Sequence, residues 1–118
     1  MSLVDLLPSD ARLTTVPAGE LIFAQGDRGD KMYVIAEGEV RILIDGKLVE
    51  VIGAGAILGE MALLDAEPRS ATAITKTRCV LVPLDERSFT DLVTRRPEFA
   101  LQVMRVLAHR LRRAGLER

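Results

Sequence analysis

The chain has one cysteine, Cys79, one histidine, His109, and no tryptophan, and its only aromatic side chains are Phe23, Tyr33, Phe89 and Phe99. A lone cysteine has no partner with which to close a disulfide. No charged stretch followed by an apolar one opens the sequence, so the expected location is the cytoplasm. One histidine does not supply the histidine clusters of most catalytic metal sites, and it would have to fill every base role of a nucleophilic relay. Metal binding and catalysis are therefore not expected. No apolar run approaches the roughly 18 residues of a membrane span, the longest being segments such as Cys79–Leu84. With so few aromatic rings, the core must be aliphatic.

What remains is 118 residues with 48% hydrophobic and 28% charged side chains, the profile of a single globular domain spanning 1–118. A domain of this size buries about two thirds of its unfolded surface and needs no disulfide or metal staple. The net charge of −1 hides an asymmetry. Residues 1–94 carry 9 basic against 15 acidic side chains, and residues 95–118 carry 7 arginines against 2 glutamates. A basic tail on an acidic body marks either an acidic partner's surface or a solvated helix face.

From Arg12 to Leu84, glycine and proline separate short β-prone runs: Glu20–Phe23, Met32–Ala36, Val40–Ile44, Leu48–Ile52, Thr72–Ile74 and Cys79–Val82. Asp45-Gly46 supplies the positive φ angles of a two-residue hairpin, so 40–44 and 48–52 are expected to pair antiparallel. In the second of these, Leu48, Glu50 and Ile52 alternate imperfectly with Val49 and Val51. The pattern then becomes helical over Asp85–Arg95 and from Pro97 toward Leu116, with a further short helix around Leu3–Leu7. In the last helix Ala100, Met104, Leu107, Leu111 and Ala114 form an apolar stripe, widened by Val103 and Ala108.

The stretch from Leu58 to Thr72 carries the chemistry. Gly59 permits close backbone approach, and Glu60–Leu64 is a helix-competent pentad whose N–H groups suit a phosphate oxygen. Nine residues after Glu60, Arg69 adds a planar guanidinium, and Ser70 adds a hydroxyl. Glu60 beside an anion makes sense when the ligand also carries a hydroxyl, as a sugar joined to one phosphate does. Alternatively, the glycine and arginine pairs are surface turns, and Glu60 and Arg69 form a surface ion pair of little energetic value. Cys79 reads as a small buried strand residue and His109 as a partly solvated one.

This stretch resembles the phosphate-binding cassette (58–72) of the cyclic nucleotide-binding domain family, a group that includes catabolite-activator proteins, protein kinase A regulatory subunits and cyclic nucleotide-gated channels. The likeness extends to Val16–Glu20, Ile22-Phe23, Gln25-Gly26-Asp27, Gly29–Ile35 and Glu37-Gly38. It implies a mainly β fold with flanking helices: an N-terminal helical segment (1–11), an antiparallel β-roll of jelly-roll type (12–84) and two C-terminal helices (85–118). It also implies a regulatory module that binds a 3′,5′-cyclic nucleotide through Gly59, Glu60, Met61, Ala62, Arg69, Ser70, Ala71 and Thr72, with no cofactor. The phosphate would meet Arg69, Ser70 and the amides near Met61 and Ala62, and Glu60 would accept the ribose 2′-OH.

Ser70, where threonine is associated with cyclic GMP, points toward cyclic AMP. In catabolite activators a Thr-Ser pair would fall at Ala114 and Gly115, which lack polar side chains. Arg110 is a substitute that could stack on or hydrogen-bond to a purine, or else lie solvated. The implied output is movement of the C-terminal helices toward an unidentified effector. A homodimer through helix 97–116 is an expectation of the same kind. The alternatives are a catabolite-activator-like regulator without its helix-turn-helix, for which the chain has no room before Arg118, or a scaffold that no longer binds ligand. Specific DNA binding is not expected from these residues.

Overall fold

A computed structural model of the protein describes residues 2–65, 67–113 and 115. The chain forms two four-stranded antiparallel sheets, carried by β1 (Thr14–Val16), β2 (Leu21–Phe23), β3 (Lys31–Glu37), β4 (Val40–Ile44), β5 (Lys47–Ile52), β6 (Ile57–Leu58), β7 (Thr72–Thr75) and β8 (Cys79–Asp85). One sheet has the order β1-β8-β3-β6 and the other β2-β7-β4-β5. The helices are α1 (Met61–Leu64), α2 (Glu86–Arg95) and α3 (Glu98–Arg113).

The period of two along a strand sorts the core into two layers. In β3, Met32 and Val34 face the helices while Ile35 faces the interior of the roll; in β8, Val82 and Leu84 take the first side, Cys79 and Leu81 the second. The first sheet is therefore covered on both faces, which is why Cys79–Leu84 is an almost unbroken apolar run. The cysteine is buried as expected, and burial pushes its thiol pKa up. The Asp45-Gly46 turn also forms as read, with φ of 52° and 77° joining β4 to β5.

Three expectations are corrected. The N-terminal segment is no helix but a single 3-10 turn, Val4–Leu6, closed by the Leu7 N–H to the Val4 carbonyl. Pro8 follows and disfavours α geometry at Leu7, so the segment is held by burial of Leu3 and Leu6 instead. β8 runs past Val82 through Pro83 to Asp85; its neighbour β1 ends opposite Leu81, so beyond that point β8 is an edge on that side, where proline is tolerated. β1 and the two-residue β6 escaped notice because such short strands carry too little alternation to stand out.

The third correction concerns α3. Of the expected stripe, Met104 and Leu111 are 57% and 50% exposed, whereas Val103 is buried and Leu107 packs on the core as read, beside the buried Phe99 and the half-buried Val106. The ring of Phe99 meets Phe89 of α2 edge-on at 5.9 Å. The inward face is thus 99, 103, 106 and 107, and one turn on from Val106 is Arg110. Ala114 and Leu116 lie outside the described residues.

Candidate ligand site

The inner wall of the second sheet, the start of α1 and the last turns of α3 enclose a cavity of about 190 Å³, lined among others by Phe23, Ile42, Glu50, Glu60, Arg69 and Arg110. A wider trough of about 1420 Å³ lies between α1 and α2 but contains neither Glu60 nor Arg69. Among the described residues no group of three His, Cys, Asp or Glu side chains is placed to hold a metal ion, and no helix is long and apolar enough to cross a membrane.

Arg69 is 8% exposed, an unusual setting for a guanidinium. Its backbone is clipped to the β2–β3 turn by two hydrogen bonds of 2.8 Å, Arg69 N–H to the Asp27 carbonyl and Gly26 N–H to the Arg69 carbonyl. Its side chain lies in a slot made by two glycines. A Cβ on Gly29 or on Gly59 would collide with the guanidinium, and Gly59 also holds a φ of 67°. The Phe23 ring lies 4.2 Å from Cζ, and Nη1 donates to the Gly59 carbonyl at 3.1 Å. Nε is buried without a hydrogen-bond partner. A buried donor on a cation left in this state is costly, and an anion would relieve it.

Glu60 stands at the head of α1 without capping it. Its Oε1 lies 2.6 Å from Arg110 Nη1, and Arg110 Nη2 donates to the Ile57 carbonyl at 2.9 Å. The ion partner of Glu60 is therefore Arg110 and not Arg69. Arg110 is not a solvated side chain either, because α3 turns it toward the roll.

Of the remaining residues read from the sequence, Gly59, Met61, Ala62, Ser70 and Ala71 line the cavity. Two details depart from expectation. The Ala62 N–H already donates to the Gly59 carbonyl at 3.1 Å, and Thr72 is not among the cavity-lining residues: its hydroxyl accepts the Gln25 N–H at 2.9 Å and serves β7 instead. Sequence reading missed Phe23, Gly29 and Glu50 as site residues. The first two lie some forty residues from Arg69 in the chain and leave no local signal. Glu50 did leave one, in the broken alternation of β5.

The family model described as the cyclic nucleotide-binding domain matches residues 13–96. The chain is 36% identical over 104 residues to the CRP-like cAMP-activated global transcriptional regulator of Mycobacterium tuberculosis, covering 84% of this chain and 46% of that protein. It is 37% identical over 119 residues to the cyclic AMP receptor protein of Thermus thermophilus, covering 97% and 55%. The crystal structure of Thermus thermophilus catabolite activator protein superposes with a TM-score of 0.77 at 33% identity, over 97% of this chain and 54% of that one. The chain thus spans about half the length of these relatives.

Proposed function

The chain belongs to the cyclic nucleotide-binding domain family, and from that premise we propose that it binds a 3′,5′-cyclic nucleotide, cyclic AMP in preference to cyclic GMP, in the cavity beneath α3 and reports occupancy through that helix. The observation that carries the reading is the buried Arg69, with an unpartnered Nε, sharing one cavity with the Glu60 carboxylate. A cyclic phosphate is a monoanion that a guanidinium can meet with two hydrogen bonds. The ribose of a 3′,5′-cyclic ester keeps only its 2′-OH, and a carboxylate accepts from it. Ser70, exposed beside Arg69, supplies a hydroxyl to the phosphate.

Transmission follows from Arg110. Arg110 holds Glu60, so a ribose hydroxyl on that carboxylate must share it or displace Arg110, and either event changes what fastens α3 to the roll. A ligand moves the helix only by as much as it binds one arrangement better than the other. The exposed Leu101, Met104 and Leu111 on the outer face of α3 would pair with a second copy or with an effector in the cytoplasm. No step of this cycle requires catalysis.

Titration calorimetry with cyclic AMP, cyclic GMP and 5′-AMP tests the reading. Cyclic AMP should bind most tightly and 5′-AMP weakly. Equal binding of 5′-AMP would remove the roles given to Arg69 and Glu60, and no heat with any of the three would leave a scaffold that has lost its ligand.

A further inference from the structure

Glu50 stands on the inward face of its strand. In β5 it shares a side with Ile52, which is buried in the core of the roll, and its cross-strand partner is Ile42, half-buried against the same core. The alternation of a half-buried strand calls for an apolar residue here, and a carboxylate in its place costs desolvation without helping the fold. The side chain is 26% exposed, and the cation near it is Arg113 of α3, 3.8 Å away and mostly in solvent. That separation is too long for a hydrogen bond, and an ion pair of this kind contributes little. What Glu50 does share is the cavity with Arg69, Glu60 and Arg110.

This inference rests on the cyclic nucleotide reading. A ligand with its phosphate on Arg69 and its ribose hydroxyl on Glu60 has only its base left to place, and among the lining left to meet it, which also includes Arg110, is the β4–β5 wall of Ile42, Ile44, Val49, Glu50 and Ile52. That wall is apolar apart from one carboxylate. We infer that Glu50 is a base-selecting residue, whose carboxylate accepts an N–H from the exocyclic amine of the base. An ionised carboxylate only accepts, so it favours a base that presents a donor over one that presents a ring C–H or a carbonyl at that position. Adenine, with its 6-amino group, fits; its 6-unsubstituted purine counterpart offers nothing. A polar residue that breaks the pattern of its strand without a structural return is where a functional demand overrides folding.

The test compares cyclic AMP with the cyclic monophosphate of 6-unsubstituted purine riboside, by calorimetry on the whole chain and on Glu50→Leu and Glu50→Gln. A hydrogen bond to a charged acceptor predicts that the wild-type chain prefers cyclic AMP by about tenfold or more. Glu50→Leu should bring that ratio close to one, with the melting temperature unchanged or raised. Glu50→Gln keeps a carbonyl acceptor without the charge and should fall between. A wild-type chain that binds both ligands equally, an unchanged ratio in Glu50→Leu, or a lowered melting temperature in that variant would each overturn the assignment while leaving cyclic nucleotide binding in place. A wild-type chain that binds neither ligand would overturn both readings together.

Discussion

Arg110 Nη1 lies 2.6 Å from Glu60 Oε1, so that the fourth turn of α3 is fastened to the residue that opens α1, fifty positions earlier in the chain. Both side chains are largely removed from water, at 33% and 14% exposure. The pair therefore sits between a surface ion pair, worth about 0.2–1 kcal/mol, and a buried one, whose disruption costs about 3–5 kcal/mol. A double-mutant cycle with Glu60→Gln and Arg110→Met should give a coupling of about 1 kcal/mol or more in thermal unfolding. Arg110→Met should also raise amide hydrogen exchange in the second half of α3. A coupling near zero would show that this contact does not hold the helix.

Arg69 is expected to separate binding from stability. Truncating one partner of a desolvated charged contact costs about 2–5 kcal/mol, so Arg69→Ala should weaken cyclic AMP binding by roughly 30-fold to several thousand-fold. Because Nε is buried without a partner, replacement by the similarly sized Met should leave the melting temperature nearly unchanged while binding is lost. A dissociation constant unaffected by either change would exclude Arg69 from the site.

Gly59→Ala should harm both properties. The residue holds a positive φ, and a Cβ there would meet the Arg69 guanidinium. Left-handed geometry costs an L side chain about 1–2 kcal/mol, which corresponds to a fall in melting temperature of several degrees for a domain of this size. Displacing the guanidinium should lower cyclic AMP affinity at the same time. Loss of stability with binding intact would show that the glycine serves the turn alone.

Asp85 caps α2, its carboxylate accepting the Ser88 N–H at 2.8 Å. That hydrogen bond holds its pKa below the ordinary value of 3.8. A carboxyl whose folded pKa is depressed contributes stability that is fully present above its unfolded pKa and is lost as pH falls through the folded one. The wild-type chain should therefore melt above Asp85→Ala at neutral pH, and the difference should shrink as the solution is acidified below about pH 4. A gap that stays constant into strong acid would argue against the cap.

The core side of the fold was legible wherever the chain interacts with itself locally. The Asp45-Gly46 turn depends on φ angles that two adjacent residues adopt, and both adopt them. The α2 boundary depends on a cap three residues from the N–H that it accepts, and the helix begins one residue inside the expected span. The N-terminal segment misled because Leu3–Leu7 has helical composition, while its actual turn is set by where Leu3 and Leu6 find a core.

The amino-acid order by itself marked the stretch that carries the chemistry: a glycine, a carboxylate directly after it and a cation nine residues further on are written in Gly59, Glu60 and Arg69, and their likeness to a family cassette supplied the roles. It could not determine how α3 is rotated about its axis, because two adjacent stripes, 99-103-106 and 100-104-107, are both apolar, and in the fold Leu107 joins the first of them on the core while Met104 stays exposed. Periodicity measures a repeat and carries no direction. The choice fell to packing, since Phe99 seats against Phe89 and the inner core, and that rotation brings Arg110 onto Glu60. The same holds for Arg69: its charge is written in the chain, but its burial between Gly29 and Gly59 exists only once strands far apart in sequence have met.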